Sequence, residues 1–368
     1  MVIFSANTSW YLYNFRKNTI TTLISLGYNV LIIAPEDSYT IKLKDLGCDF
    51  YNLYIDTNGK NPFNDIKTVF SFINFYRNKK ITAIFNFTPK INIYSTLAAK
   101  LFNIPCINNI AGLGSQFIKK SLTRLFLEFL YKYSQRKVKK IFFQNKDDLI
   151  YFLKKNLVNT SQIDLLPGSG VDLSRFKLSQ LENKNKLRFI LIARMLYEKG
   201  ITFYADAARI LKKKYGDKVE FCLLGFIGVN NPSAITQKQM DSWVSEGIIN
   251  YLGTSDTVEY EIAQADCIVL PSFYREGVPK TLLEAGAMGK PIITTDNVGC
   301  RETVTHGLNG YLCQPKSVSS LVDAIDTFIK LPYENKLEMG KNSRKKIEYE
   351  FDEQIVIKKY LDALKEIL

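Results

Sequence analysis

The stretch LRFILIARMLYEKG, residues 187–200, decides the fold, because here the chain starts a second time. A near-continuous apolar run of strand length, followed by a polar loop and a helix start, marks a parallel strand covered on both faces. The same alternation runs upstream, with strands in YNVLIIA (28–34), FYNLYI (50–55), ITAIFNF (81–87), PCIN (105–108) and KKIFFQN (139–145). Helix-length segments 64–79, 91–102 and 118–136 lie between them. Downstream the strands read VEFCLLG (219–225), IINYLG (248–253), CIVLPS (267–272) and PIITT (291–295). The expectation is two doubly wound α/β domains, 1–172 and 187–340. A hinge at 173–186 lies in the polar stretch 166–186, and a helical segment, 341–368, is free to dock back on either domain. Two such sheets facing across a cleft bring their carboxyl strand ends, and hence their ligands, to that cleft.

The bulk numbers agree with a folded two-domain chain of 368 residues. No run of eighteen apolar residues is present, and the start MVIFSANTSW lacks a basic region followed by an apolar one. The first strand is very short, which raises the question of a start site further upstream. Six scattered cysteines with no C-x-x-C pair read as small core residues in a reducing, cytoplasmic setting. Charge is uneven. Residues 1–180 hold 24 Lys and Arg against 11 Asp and Glu, whereas 181–368 hold 25 of each, so the net +13 belongs wholly to the first half. A polyanionic partner is expected there.

Several chemistries are excluded. The single histidine, His306, stands in a turn-like HGLNG, which removes Ser–His–Asp catalysis and His-ligated zinc. Neither G-x-G-x-x-G after the first strand nor G-x-x-x-x-G-K-[ST] occurs. No D-x-D triplet offers paired carboxylates to a metal, so no metal or cofactor is expected. A bound diphosphate would have to be met by Arg, Lys and helix N-termini.

Three loops at strand ends of the second half carry suitable groups. Arg194 and Lys199, five apart before a helix starting near Glu198, suit a diphosphate cradle or an ordinary solvated pair. Gly225 and Gly228 permit close backbone approach to a ligand, or simply form a loop. In YREGVPKTLLEAGAMGKPIITT (274–295), Glu276 precedes a helix opened by Pro279, and Glu284 lies in its second turn among apolar neighbours. A buried carboxylate needs a partner, for which ribose hydroxyls would serve. Complementing a helix dipole and pairing with a basic side chain explains the two glutamates equally well.

EGVPKTLLEAGAMGKPIITT resembles the E-x7-E signature of retaining glycosyltransferases of family 4, which have the GT-B fold of two Rossmann-like domains. IFFQNKDDLIYF, LPGSGVDLSRF, LIARMLYEKGI, NPSAI, YLGTSDTVEYEIAQADCIVLPS and GCRETVTHGLNGYL extend the likeness over most of the chain. They resemble the subgroup that builds bacterial capsule, O-antigen and glycan precursors on undecaprenyl diphosphate. The resemblance implies that Glu284 binds the donor ribose, and that Glu276 holds the transferred sugar with Gly277 and Val278. It implies that Arg194 and Lys199 neutralise the leaving diphosphate; Lys280 and Gly225 join the donor-binding set. The donor would be a UDP-sugar, and its diphosphate would take the acceptor proton. Two features depart from the family: SANTSWYLYNFRKN replaces its Gly-Gly loop, and NNIAGLGSQF (108–117) keeps Gly112 and Gly114 but no histidine.

In the basic half, FIKKSLTRLFLEFLYKYSQRKVKK (117–140) interleaves cations and aromatics. Its helical spacing suits an anionic membrane interface, with Lys119, Lys120, Arg124 and Lys132 as contacts, or a core helix with a solvated face. Trp10, Tyr11, Tyr13 and Phe15 read as a first loop, with Arg16 at the next helix start gripping an acceptor diphosphate. The expected partners are a nucleotide-sugar donor, a polyprenyl-diphosphate-linked saccharide and the inner face of the cytoplasmic membrane. A soluble sugar-nucleotide epimerase is the alternative enzyme. Nucleic acid is not expected, since no reading motif accompanies the charge.

Overall fold

The computed structural model describes residues 1–53, 55, 62–113, 117, 121–183, 185–228 and 231–368. The chain forms two compact units: Met1–Ser169 with Gln354–Leu368, and Gly170–Glu353.

Among the described residues of unit 1, seven parallel strands alternate with helices. The strands are β1 (Val2–Ser5), β2 (Val30–Ala34), β3 (Asp49–Asn52), β4 (Ala83–Phe87), β5 (Cys106–Ile110), β6 (Lys140–Phe143) and β7 (Ile163–Leu165). Their order is β3-β2-β1-β4-β5-β6-β7. The helices are α1 (Ser9–Ser25), α2 (Thr40–Lys44), α3 (Pro62–Tyr76), α4 (Pro89–Lys100), α5 (Leu122–Ser134) and α6 (Lys146–Lys154). β1, β2, β4 and β5 are buried along their whole length, as strands with helices on both faces must be.

Unit 2 repeats the plan with β8 (Leu187–Ile192), β9 (Val219–Leu224), β10 (Asn250–Tyr251), β11 (Cys267–Leu270), β12 (Ile292–Thr295) and β13 (Gly310–Cys313), in the order β10-β9-β8-β11-β12-β13. Its helices are α7 (Ile201–Tyr215), α8 (Gln237–Ser245), α9 (Val258–Gln264), α10 (Lys280–Ala287), α11 (Val318–Lys330) and α12 (Tyr333–Glu350).

The segment expected to be a hinge is part of unit 2. Phe176 and Leu181 are buried. The Ser179 amide donates to the Met288 carbonyl at 3.1 Å, and Tyr333 Oη to the Leu181 carbonyl at 2.7 Å. Apolar side chains in an otherwise polar stretch thus outweigh its linker-like composition. The expected single terminal helix is broken at Phe351–Asp352, where Val171 bridges to Asp352. Beyond the break, α13 (Glu353–Lys365) lies in unit 1 apart from its first residue. Tyr360 anchors it edge-on against Phe85 and Phe142, with ring centroids 5.5 and 5.3 Å away. Its hydroxyl donates to Asn109 Oδ1 at 2.5 Å.

Two further expectations are corrected in unit 1. The aromatic first loop is helix: α1 begins at Ser9, because the Thr8 hydroxyl caps the Tyr11 amide at 3.1 Å. The second concerns the core-helix reading of α5, whose exposed side is apolar rather than basic. Glu128, Tyr131 and Ser134 are buried, whereas Leu122, Leu125, Phe126, Phe129 and Tyr133 are exposed. Arg124 bonds Glu128 at 2.9 Å and Tyr151 Oη at 2.9 Å, so this cation is engaged within the protein. Lys132 is exposed; Lys119 and Lys120 lie outside the described residues.

Candidate active site

In unit 2 the strand order reverses between β8 and β11. A doubly wound sheet opens its ligand crevice at the carboxyl side of that point. The loops after β8, β9 and β11 leave from this edge.

The loop after β8 carries Arg194, exposed and with no side-chain partner among the described residues, and then a 3-10 turn, Tyr197–Lys199, leading to α7. Lys199 Nζ forms a close ion pair with Glu276 Oε1, and their side chains are only 14% and 11% exposed. Ser272 Oγ lies 2.9 Å from the same carboxylate oxygen and 3.2 Å from the Glu198 carbonyl. That carbonyl also accepts from the amides of Phe273 and Tyr274 at 3.0 and 3.2 Å. Two loops more than seventy residues apart are thereby stitched into one surface.

Two glycines permit this closeness. Gly225, at the end of β9, has φ +145°, and a Cβ on it would lie 1.8 Å from the Ala193 carbonyl oxygen. Gly299, in the loop after β12, has φ +81°; a Cβ there would meet the Gly277 carbonyl oxygen at 1.9 Å and Glu276 Cβ at 2.9 Å. Asn297 Nδ2 donates to the Tyr274 carbonyl at 2.8 Å. The loop after β12 therefore underlies Glu276 and Gly277 and fixes their height. Among the described residues, the buried amides of Gly277 and Val278 have no acceptor.

Pro279 caps α10, and Lys280 is its first residue. Glu284, in the second turn, is flanked by fully buried Leu283 and Ala285. Its carboxylate has no hydrogen-bond partner among the described residues. Burial pushes it up to about 7, against the pull of the Lys280 and Arg175 cations. Arg175 itself is held by Glu259 at 2.8 Å.

Every expected donor-side residue thus stands at one edge of one sheet: Arg194, Lys199, Gly225, Glu276, Gly277, Val278, Lys280 and Glu284. Ser272, Asn297, Gly299 and Arg175 were not foreseen, since their contribution is to hold other residues. Ser272 alone carried a signal, as the polar residue ending the buried run CIVLPS. His306 is exposed, and its Nδ1 accepts from the Leu312 amide at 3.0 Å, as suits a turn.

Unit 1 departs further from expectation. Arg16 lies within α1, only 1% exposed, with its guanidinium 4.7 Å from the centroid of Phe87 and 5.5 Å from that of Tyr360. It is caged by aromatic faces, and its guanidinium donates to the Phe15 carbonyl at 3.2 Å and to Tyr11 Oη at 3.4 Å. Gly112 follows β5 with φ +106°, and Gly114 lies outside the described residues. Thr88, which follows β4 and precedes α4, has φ +73°, an outlying conformation for a β-branched residue, and its buried hydroxyl has no partner among the described residues.

Two α/β units of this kind, one carrying a paired Lys–Glu and a buried carboxylate at its switch point, follow the plan of the GT-B fold. Residues 174–346 match the family model of the glycosyl transferases group 1, and residues 1–145 match that of the glycosyl transferase 4-like proteins. The chain belongs to the family 4 glycosyltransferases. It is 29% identical over 367 residues to the N,N'-diacetylbacillosaminyl-diphospho-undecaprenol alpha-1,3-N-acetylgalactosaminyltransferase of Campylobacter jejuni, covering 95% of this chain and 94% of that one. It is 23% identical to the UDP-Gal:alpha-D-GlcNAc-diphosphoundecaprenol alpha-1,3-galactosyltransferase of Escherichia coli, covering 82% of this chain and 79% of that one. Among solved structures, the fold matches a Rickettsia africae glycosyltransferase at TM-score 0.78 and 18% identity, over 100% of this chain and 98% of that one. It matches Anabaena HepE in complex with UDP and glucose at TM-score 0.77 and 16% identity, over 99% of each chain.

Proposed function

We propose that the protein is a retaining glycosyltransferase that moves a hexose or N-acetylhexosamine from a UDP-sugar to a polyprenyl-diphosphate-linked saccharide in bacterial surface-glycan synthesis. The observation that carries this reading is the Lys199–Glu276 pair, braced by Ser272 beneath two unmatched amides at the switch point of unit 2. A sugar hydroxyl approaching Glu276 finds a fixed acceptor, and the Gly277 and Val278 amides supply donors beside it. Glu284 takes the ribose hydroxyls, which give its buried carboxylate the partners it lacks. Arg194 and Lys199 meet the diphosphate as negative charge develops on the leaving oxygen.

Retention then follows from attack on the face that the leaving group vacates. The acceptor oxygen bonds to the anomeric carbon, the bond from that carbon to the diphosphate oxygen breaks, and the acceptor proton passes to the departing diphosphate. We read the chemistry as metal-independent, with cationic side chains supplying the charge. The acceptor belongs at the carboxyl edge of unit 1, near Gly112 and Thr88, and the protein works peripherally at the inner face of the cytoplasmic membrane. Among the described residues, no helix is long and apolar enough to cross a membrane.

The test is transfer from a panel of UDP-hexoses and UDP-N-acetylhexosamines to a short-chain polyprenyl-diphosphate saccharide, with the product linkage and anomer determined. Glu276→Gln should lower kcat by about a hundredfold or more while circular dichroism stays unchanged. Turnover at the parent rate, or an inverted anomer, would overturn the reading.

A further inference from the structure

At the amino ends of β5 and β6, away from the substrate edge of unit 1, a cavity of about 460 Å3 is lined by Lys100, Lys137 and Lys139. Thr96, Ser134 and Gln162 form its buried polar lining. Gln162 Nε2 donates to the carbonyls of Gln135, Arg136 and Val138 at 3.2, 3.3 and 2.6 Å, which holds the lysine-bearing turn in place. Nearby Lys140 is paired with Glu366 at 3.1 Å. Lys100, Lys137 and Lys139 have no carboxylate partner among the described residues.

The cavity adjoins the bare apolar face of α5. Lys100 Nζ stands 4.1 Å over the ring of Tyr133. Tyr133 ends a stripe in which Leu122, Leu125, Phe126 and Phe129 are 85%, 59%, 60% and 63% exposed. The spacing puts them on one side of a helix about 20 Å long. A stripe of this size left in water marks an interaction surface.

We propose that the cavity and the outer face of α5 together bind an anionic membrane phospholipid. Its phosphate lies among Lys100, Lys137 and Lys139, and its acyl chains run along Tyr133, Phe129 and Leu125. Charge and apolar surface side by side select this occupant. A nucleic acid would leave the stripe unused, and an apolar protein would leave three ammonium groups uncompensated. The lipid-linked substrate belongs at the carboxyl edge of the parallel strands, so this is a second lipid site. The inference rests on the membrane-associated reading above, and its test uses no transfer assay.

The experiment is flotation of the full chain with vesicles of phosphatidylcholine, with and without phosphatidylglycerol. Lys100→Gln, Lys137→Gln and Lys139→Gln together should weaken binding to the anionic vesicles about a hundredfold, at about fivefold for each lysine near such a surface. Lys42→Gln, Lys44→Gln and Lys80→Gln remove the same charge elsewhere on unit 1 and should weaken it far less. Phe126→Ser with Phe129→Ser should abolish the part of the binding that survives high salt. Equal losses in the two lysine triples would mean diffuse adsorption and would overturn the site. So would binding indifferent to phosphatidylglycerol, a loss seen with an oligonucleotide rather than vesicles, or α5-dependent self-association in sedimentation.

Discussion

Replacing Glu284 by Gln should make unit 2 more stable above neutral pH while removing activity. In the folded protein burial raises this carboxyl from an ordinary 4.5 to about 7. The folded state therefore holds its proton more tightly than the unfolded chain does. Between pH 4.5 and 7 it binds more protons than the unfolded state, so stability falls as pH rises through that window. At about 1.4 kcal/mol per decade, the ionised form costs about 3 kcal/mol once pH passes the folded value. Glutamine is the same shape and never ionises. The variant should match the parent near pH 4.5 and exceed it by about 3 kcal/mol at pH 8. Urea unfolding followed by Trp243 emission reads unit 2 alone in a Trp10→Phe background, since the chain has two tryptophans, one in each unit. In the parent, UDP should bind more tightly as pH rises from 6 to 7, because ribose hydroxyls donate to the ionised carboxylate. Equal stability of parent and variant at pH 8, or a gain confined to acid, would refute the reasoning.

Gly299→Ala places a methyl 1.9 Å from the Gly277 carbonyl oxygen at a φ of +81°. It should destabilise unit 2 by about 2 kcal/mol or more and lower kcat with little change elsewhere, measured by melting and steady-state transfer. Tyr360→Phe removes the hydrogen bond to Asn109 while keeping the ring against Phe85 and Phe142, and should cost about 1–2 kcal/mol in the unfolding of unit 1, read from Trp10 emission.

The strand–helix alternation was legible because buried parallel strands have to be apolar along their length, as LRFILIA and CIVLPS are. Short strands escaped: β7 has three residues, and β13 opens on a glycine. α1 escaped because its aromatics look like loop clusters until Thr8 is seen to cap them. In sequence α5 suits an interface helix and a core helix alike. Its spacing was helical, but a pattern of apolar and polar faces does not say which one meets the protein. Here Tyr131, Glu128 and Ser134 take the inner side. In the candidate site, Glu276 and Glu284 could be found by their place beside Pro279. The partner of Glu276 could not be found, since Lys199 reaches it only because β8 and β11 are neighbours in the sheet. Gly299 and Asn297 act through backbone contacts that leave no pattern in sequence.

The return of α13 to unit 1 bears on how the protein is made. Unit 2 is one unbroken segment, Gly170–Glu353, and can close as soon as it leaves the ribosome. Unit 1 receives its first 169 residues early but must wait for Gln354–Leu368 to seat Tyr360 against Phe85 and Phe142. At about 5–20 residues per second of synthesis, the N-terminal unit stays without its last helix for roughly ten seconds or more. The order of birth along the chain is therefore the reverse of the order of completion, and a truncation that removes Gln354–Leu368 damages the unit that was translated first.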